Sequence, residues 1–160
     1  MKSRKITATD IREVTGYSRD QLRGLLDRLP IHSGRKTTPR VAREFTRADL
    51  TMLAVVHALE ARHSVRREAI ASIMEMLRKT LTGPKTVNRG ARLLISIDPP
   101  AANYLTGDVP PQDGILISLG PIFERIDAYL GHGFPNTDRA QSELKLGPAL
   151  VANGRKKVAP

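Results

Sequence analysis

Cysteine and tryptophan are absent from this chain. Without thiols there is no thiolate zinc site, no disulfide framework and no redox switch. Aromatic residues are scarce, three Tyr and three Phe in 160 residues. Platforms that bind single strands by base stacking need several clustered aromatics, so that mode is disfavoured. No apolar run approaches the roughly 18 residues of a membrane-spanning helix. Met1 to Asp10 lacks the apolar core of a signal peptide. A cytoplasmic protein with no membrane partner is expected. Catalytic signatures are missing too: no P-loop, no G-x-S-x-G and no G-x-G-x-x-G. The four histidines, His32, His57, His63 and His132, include no pair at i, i+4, so no metal, no cofactor and no enzymatic activity are expected. His57 falls on an apolar helical stripe and reads as a core histidine. Asp98, Asp108, Asp113, Glu124 and Asp127 are scattered and read as turn or surface residues.

Positive charge is what the chain has in excess. Lys and Arg number 26 against 16 Asp and Glu, a net charge of +10. The surplus is uneven: residues 1–82 hold 17 basic and 9 acidic side chains, net +8, and residues 83–160 hold 9 and 7, net +2. A basic half on a near-neutral remainder is the electrostatic footprint of a polyanion-binding module.

Four helices can be read in residues 7–82. The first begins at Thr7, with Asp10 three residues on, and Gly16 is free to close it in a left-handed conformation. Ser18-Arg19-Asp20-Gln21 is a capping box opening the second; Leu22, Leu25, Leu26 and Leu29 form its stripe and Pro30 stops it. Two short helices joined by a glycine turn are a helix-turn-helix signature. Residues 31–45 read as a two-stranded wing with a basic tip around Gly34. Thr46 and Asp49 cap a third helix that is apolar on two sides, hence central. Ser64 is read as the cap of the fourth, which Gly83-Pro84 ends. The predicted organisation is a DNA-binding domain over 1–82, a linker over 83–91, a module over 92–134 and a flexible tail over 135–160. Within the module, Leu93–Ile97 and Ile115–Leu119 read as two paired strands. Pro121 suits the first turn of a helix running to Leu130. The fold class is mainly α with small β elements: a winged helix-turn-helix domain plus a small α+β module.

Two blocks carry a family resemblance. One is Ile6 to Arg23, with its Thr15-Gly16-Tyr17-Ser18 turn and Ser18-Arg19-Asp20-Gln21-Leu22-Arg23 helix start. The other is Arg43-Glu44-Phe45-Thr46-Arg47-Ala48-Asp49-Leu50. Over roughly residues 5–80 the chain resembles the MerR-type winged helix-turn-helix regulators, a module that phage excisionases share. The resemblance implies a sequence-specific regulator binding double-stranded DNA as a homodimer, with RNA polymerase or another protein as a further partner to consider. Gly24-Leu25 stand where the family has aromatics, and Val41-Ala42 where it often has Gly-Tyr. Gly83-Pro84 and the strand-like runs stand where its long dimerisation helix would follow.

The residues assign themselves roles on physical grounds. Arg19, Gln21 and Arg23 project from a capped helix start; in a major groove arginine pairs with guanine and glutamine with adenine. Ser18 and the first amides suit a phosphate. Arg35, Lys36 and Arg40 on the wing reach the backbone or minor groove. Tyr17 either hydrogen-bonds a phosphate or packs in the turn, and Arg43 either binds DNA or ties the wing to the third helix. Two strands and one helix are too small to bury their faces alone, so the module must pack on the N-terminal half or on a second copy. Ile122, Phe123, Ile126, Tyr129 and Leu130 are the candidate dimerisation face. Two other functions fit the same residues: an excisionase-like factor that bends DNA, and an antitoxin-like module whose C-terminal half masks a partner.

Overall fold

The computed structural model describes residues 5–29, 43–82, 88–108 and 112–131. Of the wing predicted over 31–45, residues 31–42 with Arg35, Lys36 and Arg40 lie outside the described residues, as do the start of the linker and the tail. The described chain is mainly helical, with five helices and one three-stranded antiparallel sheet.

Helices α1 (Ala8–Thr15) and α2 (Arg19–Arg28) form where their caps direct them. At Thr7 the detail differs from expectation. Its hydroxyl donates to Asp10 Oδ2 at 2.9 Å, and its backbone N–H donates to the same oxygen at 2.7 Å. Gly16 then takes φ +83°, which only glycine adopts without cost, and turns the chain into α2. Ser18 Oγ accepts from the Gln21 amide at 3.1 Å, and Gln21 Oε1 accepts from the Ser18 amide at 2.9 Å. The capping box therefore occupies one end of the Gln21 side chain.

Helix α3 (Arg47–His63) is the axis of the molecule, buried from Leu50 to Val56 and again at Ala58 and Leu59. Helix α4 (Arg67–Thr82) packs on it. Ser64 does not cap α4. It closes α3 at φ +52°, and the Val65 N–H folds back to the Leu59 carbonyl at 3.0 Å. A small side chain bears the left-handed conformation better than a bulky one, and Ser64 is the chain's turning point between α3 and α4.

Strands β1 (Arg92–Ser96), β2 (Ala101–Leu105) and β3 (Ile115–Ser118) are ordered β2-β1-β3. The pairing of β1 with β3 follows the sequence. Strand β2 lies in a stretch that reads as a loop, because Ala101-Ala102-Asn103 carries neither β-branched residues nor alternation. Leu93 and Ile95 point to the core; Tyr104 and Ile117 flank Leu93, while Ala102 and Ile115 flank Ile95. The sheet packs on α4 through β2, where Thr80 Oγ1 donates to the Ala102 carbonyl at 3.0 Å.

Helix α5 (Gly120–Leu130) starts with Pro121 in its first turn and ends at Gly131, φ +69°. It folds back onto α3 and α1. Ile122 and Phe123 are 8% exposed and Ile126 is fully buried, while Tyr129 and Leu130 pack partly buried against the same core. The face expected to form a dimer seam packs within the chain, against α1 and α3. One hydrophobic core runs from Ile6 to Ile126 through both halves.

Candidate nucleic-acid interface

A concave groove of about 660 Å³ opens between α1 and α2. Arg12 lines it from α1, Arg19 and Arg23 from α2, and Arg43 from the segment entering α3; Leu22 and Leu26 contribute apolar lining. Asp27 is the one carboxylate among the lining residues, against four guanidinium groups. Helical spacing explains the grouping. Arg19 and Arg23 are four residues apart and share one flank of α2, whereas Leu22, Leu25 and Leu29 face the core. Arg12 is exposed on α1, between buried Ile11 and Val14. Arg43 is placed by the short bridge in which the Phe45 amide donates to the Ile6 carbonyl at 2.9 Å.

Five other arginines have carboxylate partners, while Arg62, Arg66, Arg92 and Arg125 have no ion pair among the described residues and lie outside the groove. Arg47 pairs with Asp127, Arg67 with Glu60, Arg78 with Glu75, Arg28 with Glu68 and Arg89 with Glu124. Among the described residues, no ion pair involves Arg12, Arg19, Arg23 or Arg43. Four exposed cations around one concavity repel one another, and an anion relieves that repulsion.

Other predicted residues separate from this group. Ser18 and Gln21 are exposed at the start of α2 but are absent from the groove lining. Tyr17 is 6% exposed, and its hydroxyl donates to Glu60 Oε2 at 2.5 Å. Burial and that hydrogen bond push its pKa far above the ordinary tyrosine range. Of its two expected roles, Tyr17 takes packing in the turn, with its ring edge-on to His57 at 4.8 Å. His57 is half-buried, and desolvation lowers its pKa.

Sequence reasoning missed Arg12. Its position on the exposed side of the first helix was readable, but its proximity to Arg19 depends on how α1 and α2 cross. It also misjudged Asp127, which is a buried residue and the ion-pair partner of Arg47, not a surface carboxylate. Among the described residues no group of His, Asp and Glu could hold a metal ion, and no helix is long and apolar enough to cross a membrane. Comparison with family models, curated proteins and solved structures returns no match for this chain.

Proposed function

We propose that this chain is a double-stranded DNA-binding regulator whose helix-turn-helix, α1 and α2, belongs to a MerR-like winged helix domain. The observation that carries the proposal is the groove in which Arg12, Arg19, Arg23 and Arg43 converge without carboxylate partners, apart from Asp27 on the rim. The +8 charge of residues 1–82 supports it (17 basic minus 9 acidic). Double-stranded DNA supplies phosphates to such a groove, while a capped helix start beside it suits the major groove. Phosphate contacts release counterions, so affinity should fall steeply with salt. About five contacts give a slope of log K on log salt of about −4 to −5. A gel-shift titration on duplexes selected by the full chain from a random library measures this. Affinity that is absent or insensitive to salt overturns the proposal.

Each groove arginine has its own expected effect. Arg12→Ala removes a phosphate contact: it should weaken selected and scrambled duplexes alike and reduce the slope by about one. Arg19→Ala should instead weaken the selected duplex more than the scrambled one, by about 1–3 kcal/mol if it pairs with guanine. Equal losses on both duplexes would reassign Arg19 to the phosphate backbone.

A DNA-bending, excisionase-like role is the second reading, favoured by one observation. Among the described residues, α4 is followed by a sheet packed on its own chain instead of a long dimerisation helix. Circular-permutation gel mobility on the selected duplex separates bending from simple occupancy.

A further inference from the structure

Beside α2 lies a partly buried polar chain. Glu60, on α3, uses both carboxylate oxygens. Oε2 accepts from the Tyr17 hydroxyl at 2.5 Å, and Oε1 accepts from Arg67 Nε at 2.6 Å. Tyr17 stands between the left-handed Gly16 and the cap residue Ser18, so anchoring its ring and hydroxyl fixes the point where α2 begins. Arg67, at the start of α4, reaches the same helix nearly two turns further along. Its Nη1 lies 3.6 Å from where a Cβ on Gly24 would stand. Glu60 therefore controls two points on α2, at its origin and in its middle, yet belongs to neither α1 nor α2. The side chains of Glu60 and Arg67 are only 18% and 27% exposed, which shields the pair from solvent and salt. His57 supports the Tyr17 ring from the side.

We infer that Glu60 is a positioning residue for DNA recognition: through Tyr17 and Arg67 it sets the tilt of α2 against α3, and so the aim of Arg19 and Arg23, without touching DNA. The inference rests on the proposed DNA-binding function. A hydrogen bond between a carboxylate and a charged or phenolic donor is short and directional, so it holds an angle that apolar packing alone leaves loose. Base-edge contacts depend on that angle far more than phosphate contacts do.

The test uses the full chain with Glu60→Gln and Tyr17→Phe. The probes are a duplex selected by the wild-type protein from a random library and a scrambled duplex of the same composition. Each variant should lose about tenfold in the ratio of selected to scrambled affinity. The salt slope should stay that of wild type, because no phosphate contact is removed. Loss of structure alone would lower both affinities together and leave the ratio unchanged, so the ratio is the deciding readout. Circular dichroism at the binding temperature reports whether each variant is folded. Should Glu60→Gln not fold, Tyr17→Phe decides by itself, since it removes one hydroxyl and keeps the ring on His57. Ratios within twofold of wild type in the folded variants overturn the positioning role while leaving DNA binding intact. A wild-type chain that selects no duplex overturns the functional proposal beneath it.

Discussion

The helix pair α1 and α2 and the C-terminal helix α5 use their charged and polar side chains in different ways. On α1 and α2, Arg12, Arg19 and Arg23 stand exposed around a groove without ion-pair partners among the described residues. On α5 the polar groups turn inward. Asp127 pairs with Arg47 at the start of α3, the Tyr129 hydroxyl donates to Asp10 Oδ1 at 2.9 Å, and Arg125 Nη1 reaches the Val14 carbonyl at 3.5 Å. The first region leaves its groove arginines open to an anion; the second spends Asp127, Tyr129 and Arg125 on α3 and α1 and thereby holds α1 in place. Asp10 shows the connection most directly. One oxygen caps α1 at Thr7 and the other receives Tyr129, so the same carboxylate starts α1 and docks the C-terminal helix. Helix α5 is thus a buttress of α1 and α3, with its apolar face packed against them.

The strongest way to break this comparison is to damage the buttress and watch the other half. Ile126 is fully buried between α5 and the rest of the core. Ile126→Asp places an unpaired carboxylate there, at a cost of several kcal/mol. That is comparable with the whole stability of a domain this size, about 5–15 kcal/mol. Because one core spans both halves, the expected outcome is loss of α1 to α4 together with α5, seen as a collapse of far-UV circular dichroism and of DNA binding. A variant that keeps its helical signal and still binds DNA would show that residues 1–82 stand alone.

Local chemistry made much of this legible in advance. Capping residues at Thr7, Ser18 and Thr46, the stripe of α5 and its Pro121 each act within one or two helical turns, and all four elements formed where those signals lie. Strand β2 was invisible because its pairing with β1 and its packing on α4, not its composition, make it a strand. Ser64 carries a residue type that serves as a start signal or, in the left-handed region, as an end; only the turn between α3 and α4 decides which. The candidate site was half legible. Arg19, Arg23 and Arg43 could be named from the helix-turn-helix pattern, but Arg12 joins them through tertiary packing. Tyr17 and Asp127 were misjudged or left open for the same reason: their partners Glu60 and Arg47 lie 43 and 80 residues away.

Two glycines, one in each region, sharpen the comparison at a smaller scale. A Cβ on Gly120 would stand 2.3 Å from the Arg89 carbonyl oxygen, and that neighbour is backbone. Gly120→Ala should force α5 away from the turn before β1 and cost about 1–3 kcal/mol, the range of overpacking substitutions. Gly24 is the reverse case. It sits inside α2 with ordinary helical geometry, and its added Cβ meets only Arg67 Nη1 at 3.6 Å. Gly24→Ala should stabilise the protein by about 0.5–1 kcal/mol through helix propensity. Urea denaturation midpoints at constant m-value check both. Destabilisation by Gly24→Ala would mean that Arg67 cannot yield even a few tenths of an ångström.

The smallest expected effect is on pH dependence, and it probes the junction between the two regions, where His57 feels α5 as well as Tyr17 in the turn between α1 and α2. Burial is the main cause of its lowered pKa; Arg125 and Arg62 lower it further, while Glu60 opposes them. A histidine whose pKa is lower folded than unfolded binds more protons in the unfolded chain across the interval between the two values. Its contribution to stability is therefore fully present above about pH 6.5, its ordinary value, and is lost as pH falls through the lowered folded value. The thermal midpoint should accordingly decline as pH is taken from 7.5 down through 6.5 and below, ahead of the range in which ordinary carboxylates titrate at about pH 4. His57→Gln removes the titrating group and should flatten that part of the profile. Arg125→Gln removes a cation that disfavours protonation of His57, so it should leave the onset of the decline in place, make the decline smaller and end it at a higher pH. If His57→Gln leaves the slope between pH 7 and pH 5.5 unchanged, the dependence must come from other groups, and the polar junction around Tyr17 and Glu60 is insensitive to His57 protonation.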